Sequence, residues 1–297
     1  MQHAPQGAVP LPLLAGPAFD VWLSGGEPVR GEHQGVQWAD DGESLYLQLR
    51  IDDAEWRRDP AAASESAYCR LEAARQQQPE RHWWRLWNYL GGILSGEGDD
   101  ERYRQFTLGR HRAWAASGQL DAHLPAATAI GCEQGLHIFA LAGRTAAQAI
   151  ENPRQLSAWR YPRAYGLQPP SFARAALVQS EAAGWLFVSG TASIVGHESR
   201  HAGDVAAQFT EARVNLDAVL AAAADRAGCR VDDFAARNFK LYWSDAADAT
   251  RHAALAAQLA AMAPTQVLQG TVCRRELAVE LEALYELPPG VARAIAP

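Results

Sequence analysis

Apolar and polar residues alternate along several stretches of the chain with the period of a half-buried β-strand. In "GVQWADDGESLYLQLRI" (35–51) an Asp-Asp-Gly turn signal precedes Leu45, Leu47, Leu49 and Ile51, all of one parity, which predicts a hairpin. "HWWRLWNYL" (82–90) and "LHIFALAG" (136–143) predict further strands. "SESAYCRLEAARQQQ" (64–78), after the hairpin, and "ERYRQFTLGRHRAWAAS" (101–117), between the two further strands, change to helical periodicity, the second placing Tyr103, Phe106, Arg110 and Trp114 near one face.

The second half repeats this grammar. "ARAALVQS" and "GWLFVSGT" flank the turn "EAAG" (181–184) as a hairpin, and an amphipathic helix is expected from Asp204 to Ala227, with Phe209, Leu216, Val219 and Leu220 on its packing face. "NFKLYWSD" predicts a strand, "ADATRHAALAAQLAAM" (247–262) a helix, and "TQVLQGTVC" (265–273) with "LAVELEALYE" (277–286) two closing strands. The order is strand, strand, helix, strand, helix, strand, strand. In "VCRRELAVELEA" (272–283), Leu277, Val279 and Leu281 share one face and Ala278, Glu280 and Glu282 the other. Two carboxylates therefore line up just after a cysteine and two arginines. An edge strand with a wet face is one reading; a site in which Glu280 handles a proton beside an anion-binding arginine is the other.

Composition narrows the function class. The 297 residues are 48% hydrophobic and 21% charged, as in folded soluble proteins, and long enough for one large or two ordinary domains. A net charge of −7 with mixed signs gives no basic stripe for a nucleic-acid backbone or an anionic membrane surface. The proline-interrupted start lacks signal-peptide character, so a cytoplasmic protein is expected. Cys69, Cys132, Cys229 and Cys273 are far apart and read as reduced thiols.

Between the halves, "ENPRQLSAWRYPRAYGLQPPSFARA" (151–175) carries Arg154, Arg160, Arg163 and Arg174 among bulky rings. A packed loop at a domain junction, where ligand pockets often form, fits better than a solvated linker. "HESRH" (197–201) matches the H-E-x-x-H zinc pattern, but Gly196 and Gly203 bracket it and the helix starts later, so a strand-to-helix loop is preferred. "GEGDDE" (96–101) lacks the ends of a phosphate or calcium loop and reads as a turn before a helix. "SGTAS" (189–193) follows an apolar strand and offers small residues, Thr191 and Ser193 among them, with backbone N–H groups near a following helix as a cradle for an anion or carboxylate, although such residues also form ordinary turns.

Taken together, "RLWNYLGGI…ERYRQFTLGRHRAW", "QLSAWRYPRAYGLQPPSFARA", "SGTASIVGHESRHAGD" and the closing "CRRELAVELEA" resemble the chorismatases, enzymes that remove pyruvate from chorismate. The blocks span most of residues 84–283; residues 1–35 carry none of the likeness. The second half also resembles the YjgF/Rid superfamily. The resemblance implies an α+β fold of two packed YjgF/chorismate-mutase-like sandwich domains, 1–150 and 151–297, with mixed sheets and helices on one face. It implies a monomer with pseudo-equivalent halves or a small homo-oligomer, and no metal or organic cofactor.

Chorismate is a dicarboxylate with an enolpyruvyl ether. Arg160, Arg163 and Arg274 could hold its carboxylates, with Tyr165 adding a hydroxyl. Glu280 matches the position of the family's acid and would protonate the ether's methylene. For this its pKa must be raised by an apolar pocket supplied by the partner domain or a second chain, with Glu282 adding like-charge coupling. Attack by water would give a dihydrodiol, whereas displacement by the ring hydroxyl would lead to a hydroxybenzoate. Cys273 resembles the branch that forms hydroxybenzoate, which favours 3-hydroxybenzoate, with 4-hydroxybenzoate a second product. An imine-hydrolysing or ligand-binding protein of the YjgF/Rid kind is the competing expectation.

Overall fold

Short polar side chains set many of the element boundaries. In the computed structural model, which describes residues 7–22, 26–78, 80–121, 124–179 and 184–287, the predicted first hairpin turns at Gly42 (φ 96°), with Gly42 N donating to Asp40 Oδ1 (2.7 Å) and Ser44 N to Asp41 Oδ1 (2.7 Å). The long helix of the second half starts where the Asp204 carboxylate accepts from Ala207 N and stops at Gly228, whose left-handed φ of 66° closes the cap.

The first half comprises β1 (Leu13–Ala15), β2 (Val29–His33), β3 (Val36–Asp40), β4 (Ser44–Ile51), α1 (Asp53–Arg58), α2 (Pro60–Gln76), β5 (His82–Gly91), α3 (Arg102–Ala116), β6 (Ala126–Cys132) and β7 (Leu136–Gly143). The second comprises β8 (Gln148–Ile150), β9 (Ala175–Gln179), β10 (Gly184–Ala192), β11 (Ile194–Val195), β12 (Glu198–Ser199), α4 (Val205–Ala227), β13 (Ala235–Trp243), α5 (Ala246–Arg251), α6 (Ala253–Ala260), β14 (Thr265–Gln269) and β15 (Val279–Leu287). Of the expected "EAAG" turn only Gly184 is within the described residues.

The same unit occurs twice. One sheet runs β2-β3-β4-β7-β5-β6 and the other β8-β9-β10-β15-β13-β14, with β5–β6 and β13–β14 the parallel pair of each. The chain order of the six strands, the sheet order and the pairing sense correspond strand by strand, while the second unit adds the β11–β12 hairpin and the crossovers differ in their number of helices, so the fold is α+β with a duplicated sandwich. The sheets do not divide the chain at one point. β1, from the first twenty residues, edges the second sheet against β14, and β8 joins that sheet although it ends at Ile150, before the expected division.

Helices cover one face of each sheet. Val279, Leu281 and Ala283 of β15 pack with Phe209, Leu216 and Val219 of α4, while Leu45, Leu47 and Leu49 share a core with Tyr68 of α2 and with Phe106 and Trp114 of α3. The opposite faces meet each other. Trp84 and Leu141 pack with Val178 and Phe187, and Tyr89 and Ile130 with Tyr242 and Leu268. Glu280 and Glu282 lie on that inner face, between two sheets rather than in solvent.

Two elements differ from expectation. The helix over 247–262 is broken at His252, which leaves helical geometry (φ −110°, ψ 26°) and stacks its ring on Trp243 at 6.0 Å. The strand expected through Cys273 ends at Gln269, because the chain crosses to the other half: Gly131 N donates to Thr271 O (2.7 Å) and Thr271 N to Gly131 O (3.2 Å). That crossing carries Cys273 and Arg274 to the junction between the halves.

Candidate active site

A cleft of about 280 Å³ opens where α3 and β6 of the first half meet the end of β10, the 161–174 segment and residues 273–280 of the second. This is close to the lower end of the ~300–1,000 Å³ range of small-molecule sites. Glu280 reaches it because strand alternation turns its side chain away from the helix-facing Val279 and Leu281. Ala192 is its partner in register on β10, and Gly190 lies beneath its carboxyl group: a Cβ at 190 would stand 1.9 Å from Glu280 Oε1. Gly190→Ala is therefore expected to displace the flexible carboxyl group rather than the backbone. Thermal melting should show a change within about 1 kcal/mol, whereas steady-state assays should show turnover reduced on the order of 100-fold.

Glu280 is 5% exposed and accepts no hydrogen bond from any described residue. Burial, followed by the charge of Glu282, pushes its pKa up to about 8, against the opposing pull of Arg85 and Arg174. Glu282, two residues along the same face, is equally buried but moves the other way. Burial opposes its ionisation, yet the charges of Arg85 and Lys240, with hydrogen bonds from Thr128 Oγ1 (2.6 Å) and Trp87 Nε1 (2.9 Å), hold its carboxyl below the usual range. Arg85 pairs directly with Glu282 Oε2, and Lys240 Nζ, 3.4 Å from Oε1, is itself paired to Asp20 at 2.6 Å. One carboxyl of the pair thus keeps a proton near neutral pH and the other a charge. The expected pocket around Glu280 is supplied by the partner half of the same chain.

Cys273 lines the cleft, and burial, followed by the nearby Glu280, pushes its thiol up to about 12, so it is neutral at physiological pH. Arg274 and Tyr165 also line the cleft: the guanidinium lies 4.1 Å from the centre of the Tyr165 ring and 5.3 Å from that of Tyr161, and Nη1 donates to His197 O (2.9 Å) and Ser199 Oγ (3.1 Å). The Tyr165 hydroxyl is 3.3 Å from His197 Nδ1.

Four expected ligands lie elsewhere. Arg160 is exposed outside the cleft, and Arg163, also exposed, makes a two-pronged pair with Asp99 (2.9 and 2.6 Å). Thr191 and Ser193 are buried on the far side of the strand end: Thr191 Oγ1 donates to Ser189 O (2.8 Å) and Ser193 Oγ to Arg200 O (3.0 Å), while the alternate residues Gly190 and Ala192 face the cleft. "SGTAS" is not followed by a helix, since α4 begins only at Val205. The H-E-x-x-H pattern runs through the β11–β12 hairpin, so its histidines are not one helical turn apart. His197 faces Tyr165, and His201 Nε2 lies 3.1 Å from Glu211 Oε2.

The cations that do face the cleft include Arg110 and Arg174, both almost fully buried. Arg174 Nη2 donates to Leu156 O (2.9 Å) and Tyr161 Oη (2.7 Å), and its guanidinium lies over Phe172 at 5.2 Å. Arg110 sits over Phe106 at 5.0 Å. The Nε atoms of both are buried with no hydrogen-bond partner among the described residues, which is costly unless a ligand or water supplies one. A signal for Arg110 existed in the sequence: it is the one charged residue of the apolar stripe Tyr103, Phe106, Arg110, Trp114.

A duplicated α+β sandwich thus places a buried carboxyl group and buried guanidinium groups around one cleft at the junction of its halves, an arrangement with the charge and size to take a small anion. Comparison with known proteins narrows the class. The chain is 34% identical over 284 residues to the 3-hydroxybenzoate synthase of Streptomyces hygroscopicus, covering 91% of this chain and 82% of that protein. It is 35% identical over 274 residues to a chorismatase of Streptomyces rapamycinicus, covering 89% and 81%. The family model for the N-terminal region of FkbO/Hyg5-like chorismatases matches residues 20–142. A chorismatase crystal structure superposes with a TM-score of 0.77 at 32% identity, over 86% of this chain and 79% of that one. The chain belongs to the chorismatase family, and it is an enzyme.

Proposed function

We propose that this enzyme removes pyruvate from chorismate and that 3-hydroxybenzoate is its main aromatic product. The observation that carries the reading is the placement of Glu280, a carboxyl group protonated near neutral pH, in a cleft whose other walls present Arg110, Arg174 and Arg274. A dianionic substrate needs the fixed cations, and a vinyl ether needs an acid that still holds its proton.

In the proposed reaction Glu280 gives its proton to the methylene carbon of the enolpyruvyl group, which becomes an oxocarbenium-like centre. The neighbouring ring hydroxyl attacks the ring carbon bearing the ether. The C–O bond breaks with its electron pair going to oxygen, which leaves as the ketone oxygen of pyruvate. The proton of the attacking hydroxyl returns to the Glu280 carboxylate, and the resulting epoxide opens and aromatises to a hydroxybenzoate. The atoms of chorismate equal those of hydroxybenzoate plus pyruvate, so no water or co-reactant is consumed.

Cys273 supports this course over hydrolysis. Its neutral side chain occupies cleft volume next to the acid, and a dihydrodiol would require a water molecule there. Incubation of the purified protein with chorismate, with products separated by chromatography and identified by mass, tests the reading. Equimolar pyruvate and 3-hydroxybenzoate are expected. A dihydrodiol would overturn the product, and unchanged chorismate would overturn the activity. Cys273→Ala, which makes room for water, is expected to move part of the product toward the dihydrodiol.

A further inference from the structure

Strand alternation places Glu280 and Glu282 on one face of β15, and both are buried at the junction of the halves. Two such carboxyl groups need not be ionised together, and what surrounds Thr128 decides which of them holds the proton. Its hydroxyl oxygen has three polar neighbours: Arg85 Nη2, Gly190 N at 2.9 Å and Glu282 Oε2 at 2.6 Å. A hydroxyl has one proton to donate and two lone pairs to accept with. The guanidinium and the amide can only donate, so the single hydroxyl proton points to Glu282. That oxygen also receives Arg85 Nη2, and Oε1 receives Trp87 Nε1. Surrounded by donors, Glu282 is required to be a carboxylate.

The same hydroxyl holds the floor of the cleft. The Gly190 amide it accepts from belongs to the residue against which the Glu280 carboxyl group lies. Thr128 itself lines the cleft, but its hydroxyl is fully engaged and has no proton left for a substrate. We propose that Thr128 and Glu282 are positioning residues for the reaction: the hydroxyl fixes Glu282 as the ionised member of the pair, which assigns the transferable proton to Glu280 and sets the backbone beneath it.

Other groups around Glu280 act differently. From α3 and its start come Tyr103, Arg104, Arg110 and Glu101; from the 161–174 segment, Tyr161, Tyr165 and Arg174; and from the turn before β15, Cys273, Arg274, Arg275 and Glu276. The arginines among them favour an ionised Glu280, as does Arg85 from β5. Of the carboxylates, Glu282 is the one whose charge acts on Glu280 most strongly in the opposite sense.

The inference rests on the reading of Glu280 as the acid, and its test separates the two. Infrared titration of the substrate-free protein follows the carboxyl stretch that disappears in Glu280→Gln. In Glu282→Gln the midpoint of that band should fall by about one pH unit or more, because a neutral amide replaces the like charge. With chorismate, Thr128→Val should lower kcat about 10- to 100-fold with KM nearly unchanged, and Thr128→Ser, which restores the hydroxyl, should recover most of the rate. Circular dichroism confirms folding of each variant. An unmoved Glu280 midpoint in folded Glu282→Gln, or a Thr128→Val enzyme altered only in KM, overturns the proposal. Chorismate untouched by the wild-type protein, with the midpoint shift intact, overturns the substrate and leaves the proton assignment standing.

Discussion

Glu280→Gln is expected to lower the turnover of chorismate by at least about 100-fold, and up to about 10,000-fold, the range a positioned general acid contributes. The amide keeps the shape of the side chain and has no proton of suitable acidity. The wild-type profile should follow from the same group. An acid must carry its proton to act, so kcat/KM, which reports the free enzyme, should be level below pH 7 and fall as pH rises through about 8, the value to which burial and then Glu282 push Glu280. The residual rate of Glu280→Gln should lack that limb.

Stability should respond with a defined sign. The folded-state pKa of Glu280 lies above its unfolded value, so the native state binds the extra proton between about pH 4.5 and 8, and the contribution of Glu280 to wild-type stability declines across that window as pH rises. Glu280→Gln never has to ionise in the cleft. It should therefore be the more stable protein at pH 9, by an amount on the order of a few kcal/mol, and nearly equal to the wild type at pH 5. Urea melts at the two pH values measure the difference. A variant that gains stability while losing activity is the behaviour expected of a catalytic group held in an unfavourable site.

Much of this site was legible because it depends on local periodicity. Alternation in residues 279–284 separates Glu280 and Glu282 from Val279 and Leu281, and the structure maintains that separation with one set against α4 and the other between the sheets. Cys273, Arg274 and Tyr165 could be named because the motif blocks carry them, and all three line the cleft. The arginines of the junction segment were harder. Arg160, Arg163 and Arg174 sit in one proline-rich stretch with no helical or strand period to say which face each takes, and it is Arg174 that turns inward while Arg163 pairs with Asp99 at the surface. Composition alone makes "SGTAS" a cradle, but strand alternation buries Thr191 and Ser193 and leaves Gly190 and Ala192 on the site side.

What could not be read was pairing between distant residues. Arg85 and Glu282 are separated by 197 positions and meet only because the two duplicated sheets stack face to face. Asp20 lies in the region without motifs, yet it pairs with Lys240 at 2.6 Å, and β1 from that same region edges the second sheet. No short-range rule connects such residues, since each segment by itself is an ordinary strand or loop.

Arg85 is where that long-range pairing should show its largest effect. It is 2% exposed, it lies over Trp87 at 4.9 Å, and it is the charge that most favours ionised Glu282. Arg85→Met fills a similar volume but leaves Glu282 buried with only part of its compensation, Lys240, Thr128 and Trp87. Breaking one side of a buried pair in this way costs about 3–5 kcal/mol, which in a protein of this size lowers Tm by roughly 10 °C. The pH dependence should change with it. Because the folded-state pKa of Glu282 is depressed, its contribution is present above the ordinary carboxylate range and is lost as pH falls through the folded value, so acidification should destabilise the wild type more than the variant. The double variant Arg85→Met/Glu282→Leu removes both charges from the junction and should recover most of the lost stability, since a well-packed apolar pair is often as stable as a buried ion pair. It should not recover turnover, because the like charge that helps Glu280 keep its proton is gone. Thermal melts and chorismate assays on the three proteins distinguish a junction held by shape from one whose charges also serve the acid.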